Sequence, residues 1–203
     1  GVRSFAAMKM VGVNVAADPL FTFSYLAVNG GFAFVSADDP GMHSSQNEQD
    51  NRNYAKFMKI AMLEPSDSQE CLDMTKDAYR LSEEFEVPVM IRMTTRVCHS
   101  KSLVTEGTRT EVAPVLYEKH PERNDAIPAV SKVRRHIVEA REEKLKAYSN
   151  ACPWNYEEMH DTKIGIVASG AAYMYAKDVF GDKASYFKVG LSYPMPVEKI
   201  RAF

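Results

Sequence analysis

With 203 residues, 45% of them apolar, and a formal net charge of −2, the chain is long enough for one sizeable core or for one and a half smaller ones. It carries no cationic excess suited to nucleic acid, no apolar run near the ~18 residues of a membrane span, and nothing that resembles a secretory leader. Its three cysteines (Cys71, Cys98 and Cys152) are far apart and form no C-x-x-C pair. They build neither a zinc knuckle nor an iron–sulfur cluster from local ligands, and free thiols fit a reducing cytoplasm.

In chain order, Ser4 to Met8 reads as a short apolar strand and Lys9 to Asn14 as the loop after it. Asp18-Pro19 reads as an N-cap with proline at the first helical position, opening a helix from Leu20 to Val28. A helix starting near Asn14 and kinked at Pro19 is the alternative. Phe32 to Ala37 is a near-continuous apolar run, the pattern of a strand covered on both faces. Ile60 to Leu63 is a shorter one. Ser66-x-x-Gln69 reads as a capping box ahead of a helix that carries Cys71, Leu72, Thr75, Ala78, Tyr79, Ser82 and Phe85 at helical spacing. Val87 to Met93 is the third long strand. This alternation predicts a doubly wound, mostly parallel α/β sheet with right-handed crossovers.

After Thr95 the texture changes. Residues 96 to 127 are polar and read as an extended excursion, with an edge strand at Val104 to Val112. Ala129 to Tyr148 reads as a connecting helix with Val130, Val133, Ile137, Val138 and Leu145 inward and Glu142–Lys146 as an i, i+4 pair. Lys163 to Ala168 opens a second alternation: a turn at Ser169-Gly170, a helix from Ala171 to Phe180, a strand from Ala184 to Val189, and a helix opened by Pro196. The domain boundary is expected near residues 150 to 161. Both ends read as cut, since no methionine precedes Gly1 and Phe203 stands about two turns into a helix.

The strongest local signal is the polar segment Asp38 to Arg52, which follows a strand at its carboxyl end, where open α/β sheets bind ligands. Two readings stand. Ser45-x-x-Glu48 suits a capping box for a helix running to about Phe57, and the hydroxyls, amides, carboxylates and His43 also suit a ligand site. Gly12, at the equivalent end of the first strand, permits close backbone approach, although residue types alone favour a plain turn there. Ser169-Gly170 is too short to be a phosphate-binding fingerprint. Methionines 8, 10, 58, 62, 90 and 93 read as core filler.

Four stretches in order, MKMVGVNVAADPL, ADDPGMHSSQNEQDNRNYAKF, MLEPSDSQE and PVMIRMTTRVCHS, resemble the thiamine pyrimidine-binding domain of indolepyruvate ferredoxin oxidoreductase alpha subunits. IGIVASGAAY and LSYPMPVEKI resemble the start of a transketolase C-terminal-like unit. The resemblance implies residues 1–100 as part of the first domain, 101–160 as a connecting segment, and 161–203 as the opening of the second. It implies thiamine diphosphate with Mg, oxidative decarboxylation of an aryl-pyruvate, electron transfer through 4Fe–4S clusters to ferredoxin, and acyl transfer to coenzyme A. The cofactor carries the hard chemistry while the protein positions and polarises it. A beta subunit and an oligomeric assembly are implied as well.

In that family the activating glutamate lies just upstream of the position of Gly1, and the magnesium and cysteine motifs lie downstream of Phe203. The resemblance therefore implies no complete catalytic set and no metal ligands here. It implies that Lys9, Gly12, Asn14, Met42, His43, Ser44, Ser45, Gln46 and Glu48 lie near the thiamine ring and substrate mouth. Pyruvate-type relatives carry an arginine–glycine segment after the second strand, where this chain has Asp38-Asp39-Pro40-Gly41. That departure favours an aryl-pyruvate and leaves Lys9 or His43 as candidate partners of its carboxylate. The alternatives are a pyruvate-type enzyme and a non-catalytic α/β module that binds a partner.

Overall fold

The computed structural model describes all residues, Gly1–Phe203. In chain order its elements begin with β1 (Ser4–Lys9), α1 (Met10–Val15), α2 (Ala17–Tyr25), β2 (Phe32–Asp38), α3 (Arg52–Met58) and β3 (Met62–Leu63). There follow α4 (Ser68–Phe85), β4 (Val89–Thr94), α5 (Thr95–His99), α6 (Pro121–Asn124) and α7 (Pro128–Ala151). The last are β5 (Asn155–Glu158), β6 (Gly165–Ala168), α8 (Gly170–Phe180), a 3-10 turn at Gly181–Lys183, β7 (Ser185–Val189), β8 (Leu191–Tyr193) and α9 (Val197–Ala202).

The main sheet has the order β1-β2-β4-β3-β8. Its first four strands are parallel, and β8 pairs antiparallel with β3. Alternate side chains of β2 and β4 point to opposite faces. Ala33, Val89 and Ile91 meet Met74, Ala78 and Leu81 of α4 and Leu145 of α7 on one side. Phe34 and Met90 meet Val13, Leu20, Ala55 and Met58 of α1 to α3 on the other. Both faces are covered, which is why these strands read as continuous apolar runs. A smaller sheet, β5-β7-β6, has β6 parallel and β5 antiparallel to β7. The mostly parallel α/β architecture agrees with the sequence reading.

Several local expectations are corrected. Lys9 to Asn14 is not a loop: α1 begins at Met10, and Asp18 sits in the first turn of α2 behind the N-cap Ala16. The α4 cap is shifted by one residue, with Asp67 accepting from Glu70 N at 2.8 Å and Glu70 accepting from Ser66 N at 2.8 Å. The shift arises because Asp67 adopts the extended N-cap backbone. No strand forms at residues 104 to 112, which lack regular structure. On α7, Val133 and Ile137 are exposed, and Glu142 turns inward to Lys59 and Tyr193 while Lys146 pairs with Glu143. The helix thus buries a polar stripe that a hydrophobicity pattern does not register. Met10, Met58, Met62 and Met90 are core residues, as read.

Asn155, fully buried, ties the smaller sheet to the larger. Its Nδ2 donates to the carbonyls of Ser149 (3.0 Å) and Leu191 (3.2 Å), and its Oδ1 accepts from Gly190 N and Leu191 N, both at 2.9 Å. Asn155→Ala is expected to cost about 2–4 kcal/mol, because each buried group left without a partner costs about 1–3 kcal/mol. Urea denaturation of the variant and the parent checks this.

Candidate functional site

The carboxyl ends of β2, β3 and β4 converge on a buried ionic network. Pairing of β2 with β4 sets Ser36 opposite Arg92 and Asp38 opposite Thr94. Arg92 Nε donates to Asp38 Oδ2 at 2.8 Å, and Nη1 donates to Glu64 Oε1 at 3.2 Å. All three residues are at most 7% exposed. Asp38 Oδ2 also accepts from Asn51 N (3.1 Å), whose Nδ2 donates to Ser36 Oγ (2.8 Å). Ser169 Oγ, at the start of α8, donates to Glu64 Oε2 at 2.9 Å. The network therefore joins the ends of three strands, the start of α3 and the start of α8. Buried charges persist when paired and hydrogen-bonded in this way.

Asp39 organises the loop that follows. Its Oδ1 accepts from His43 N (3.1 Å) and Thr95 Oγ1 (2.6 Å), and its Oδ2 accepts from Ser44 N (2.8 Å) and Ser45 Oγ (2.6 Å). These donors, first the Ser45 and Thr95 hydroxyls, hold its carboxyl well below the usual carboxylate range. Lys9 Nζ donates to the Ser44 carbonyl at 2.6 Å, bracing the loop from β1. Glu48 accepts from Gly41 N. Met42 lies at φ 52°, a left-handed conformation that a side chain rarely adopts. Such backbone concentrates at functional sites when its surroundings hold it in place.

The capping reading of Ser45 and Glu48 is corrected. Helix α3 begins only at Arg52, and its N-cap Asn51 makes no side-chain cap. Both residues serve the loop instead, because the buried Asp39 carboxylate accepts from the Ser45 hydroxyl and the Gly41 amide donates to the Glu48 carboxylate. Lys9, Ser44, Ser45 and Glu48 are thus brought together, while Met42, His43 and Gln46 lie exposed along the same loop. Gly12 and Asn14 stand apart on α1, where a Cβ at Gly12 would lie 3.0 Å from Met8 Cβ. Sequence reasoning missed Arg92, Glu64 and Arg96 as parts of this site, gave Asn51 no role of its own within the segment Asp38 to Arg52, and set Ser169 aside. A signal was present: Arg92 interrupts the apolar run VPVMIRM, and Glu64 ends another.

Between this loop, the β4–α5 junction and the start of α8 lies a cleft of about 300 Å³, lined by His43, Arg52, Glu64, Arg92, Arg96 and Tyr175 among others. A second cleft of about 340 Å³ shares Arg52, Glu64 and Ser169 with it and extends to Ser192 and Tyr193. The first has the shape and mixed polarity of a small-molecule site at the carboxyl edge of a parallel sheet.

The family described as pyruvate flavodoxin/ferredoxin oxidoreductase, thiamine diP-binding, matches residues 36–172, from Ser36 in β2 to the first turn of α8. The chain belongs to this family. It is 41% identical over its whole length to the indolepyruvate oxidoreductase subunit IorA of Archaeoglobus fulgidus, and 40% identical to that of Methanothermobacter marburgensis. The chain spans about a third of the length of these curated relatives, 33% and 34% respectively. Its fold is similar to that of the 2-oxoglutarate:ferredoxin oxidoreductase of Magnetococcus marinus (TM-score 0.62, 14% identity, 99% of this chain and 43% of that one). A transketolase from Pichia stipitis shares the fold more loosely (TM-score 0.51, 15% identity, 94% of this chain and 23% of that one).

No three His, Cys, Asp or Glu side chains of the chain are grouped to hold a metal ion. No helix is long and apolar enough to cross a membrane.

Proposed function

We propose that the chain is the pyrimidine-facing part of a thiamine-diphosphate-dependent 2-oxoacid:ferredoxin oxidoreductase that acts on indolepyruvate or related aryl-pyruvates. The observation that carries this reading is the braced polar loop, with its cleft, at the carboxyl ends of the parallel strands in a chain of this family. Within the reading, residues 1–100 belong to the pyrimidine-binding domain, 101–160 connect, and 161–203 open a transketolase C-terminal-like unit.

The residues suit one end of the cofactor. Thr94 Oγ1 is buried without a hydrogen-bond partner and belongs to a residue that lines the cleft, a polar match for an aminopyrimidine edge. Gly41, at φ +80°, takes a left-handed backbone that favours glycine, and a Cβ there would lie 3.6 Å from His43 Nε2. The donor set for a magnesium diphosphate is not offered here, so that end falls to other residues of the assembly. When bound, the cofactor supplies the carbanion chemistry of decarboxylation. The chain's own part is to hold the Met42–Glu48 loop, to fix Glu64 through Arg92 and Ser169, and to shape the cleft. In the proposed assembly, a beta subunit, ferredoxin, coenzyme A and iron–sulfur clusters supply the remaining steps.

Asp38 and Asp39 are spent on internal partners, so neither can receive a substrate, and no arginine replaces them at that point. The aryl-pyruvate reading is supported by the indolepyruvate oxidoreductase subunits that the chain resembles over its whole length. Assay of the full-length complex with indolepyruvate, phenylpyruvate and pyruvate tests the proposal. The aryl substrates are expected to show the higher kcat/KM. A clear preference for pyruvate would overturn the substrate, and no thiamine-dependent turnover of any 2-oxo acid would overturn the function.

A further inference from the structure

We propose that Arg96 binds the substrate carboxylate and that Tyr175, beside it in the cleft, faces the aryl ring. The inference rests on the 2-oxo acid reading above and deepens it by giving roles to two residues of the cleft wall.

Cations available at this end of the sheet are Lys9, Arg52, Arg92 and Arg96. Lys9 is held by the Ser44 carbonyl. Arg52 forms a two-pronged pair with Asp50, Nε–Oδ1 at 2.6 Å and Nη2–Oδ2 at 2.9 Å. Arg92 lies between Asp38 and Glu64. Arg96 alone takes part in no ion pair and no side-chain hydrogen bond, although it lines the cleft that Arg52 and Arg92 also line. Two carboxylates on Arg92 leave the network one negative charge in excess, so an entering anion meets net repulsion except where Arg96 offsets it.

Glu64 pairs with Arg92 through Oε1 and with Ser169 through Oε2, and forms no ion pair with Arg96. The guanidinium of Arg96 presents a planar fork suited to a carboxylate. His43 lines the same cleft and can donate to a remaining substrate oxygen.

The opposite wall is built by α8, which packs against α5, the helix that carries Arg96. There Ala171 and Ala172 are small, and Tyr175 is a half-exposed ring, 55% accessible. Small residues leave room for a flat ring, and a tyrosine face stacks on one. A carboxylate at Arg96 with an aromatic group toward Tyr175 describes an aryl-2-oxo acid.

The test uses the full-length complex with thiamine diphosphate, comparing the parent with Arg96→Gln and Arg96→Lys. Arg96 is exposed at the cleft, so neither change disturbs a core. Turnover of phenylpyruvate is followed together with competitive inhibition by phenyllactate, which is charged and unreactive, and by neutral phenyllactamide. In Arg96→Gln the KM for phenylpyruvate and the inhibition constant of phenyllactate should rise on the order of 10- to 100-fold, the size of a lost charged hydrogen bond. Inhibition by phenyllactamide should stay as in the parent, and Arg96→Lys should recover part of the loss.

Unchanged constants in Arg96→Gln, or equal weakening of the charged and neutral inhibitors, would overturn the assignment. A rise confined to the KM for coenzyme A would also overturn it, placing that cofactor's phosphates at Arg96 instead. A parent complex that turns over no 2-oxo acid would sink the functional reading itself, an outcome distinct from an Arg96→Gln variant that behaves like an active parent.

Discussion

Arg92→Met is expected to destabilise the chain by about 3–5 kcal/mol, the cost of leaving buried partners of a broken ion pair uncompensated. Asp38 and Glu64 are both 3% exposed, and both depend on Arg92 for their positive partner. Methionine fills the volume of the arginine stem, so the loss reads the charge rather than a cavity. Arg92→Lys should recover only part of it, since a single ammonium cannot reach two carboxylates in the fork geometry that a guanidinium offers. The triple change Arg92→Met, Asp38→Asn, Glu64→Gln removes the stranded charges and should be less destabilised than Arg92→Met alone. Urea denaturation of the three variants decides this, and a cost below about 1 kcal/mol for Arg92→Met would remove the network from the account of stability.

The second large effect concerns activity. Asp39→Asn keeps the shape of the side chain but replaces one acceptor oxygen with a donor, so two of the four donors lose their acceptor. The loop from Met42 to Glu48 then loses half of its bonds to residue 39 and keeps those through Lys9 and Glu48, so it shifts from its seat. In the proposed full-length oxidoreductase kcat/KM should fall about 100-fold, because a displacement near 1 Å at a reacting centre costs that much. Parent-like activity would detach the loop from catalysis.

The same carboxyl sets a pH dependence. Its pKa in the folded chain is depressed, chiefly by the Ser45 and Thr95 hydroxyls. Its support of the loop is therefore complete above the unfolded carboxylate value of about 3.9 and is lost as pH falls further, through the depressed folded value. Amide exchange at His43 and Ser44 should show steady protection from neutral pH down to about 5 and a decline below about 4.

Much of the frame was legible in the sequence because it rests on local pattern. The runs Phe32 to Ala37 and Val87 to Met93 announce strands covered on both faces, and they became β2 (one residue longer) and β4 (its start two residues later). The helix Ala171 to Phe180 and its closing glycine were legible for the same reason. Short elements were not. The strands β5 and β8 have four and three residues and are defined by pairing with distant chain segments. The helix α1, with six residues around Gly12, is held by packing against β1 and β2 rather than by propensity.

The site divides along the same line. The sequence by itself determined the fold class, the placement of a polar loop after β2 and the family resemblance, since periodicity and contiguous motifs are properties of neighbouring residues. Only the tertiary structure decided what those residues do. Asp38, Glu64 and Arg92 are 28 to 54 positions apart from one another along the pairs that bind, and Ser169 reaches Glu64 across 105. Ser45 and Glu48 looked like caps because their spacing suits a helix, yet the buried Asp39 carboxylate and the Gly41 amide gave them other partners. An ion pair or a carboxylate seat depends on distance in space and on burial, and a linear pattern encodes neither until parallel strands bring their carboxyl ends together.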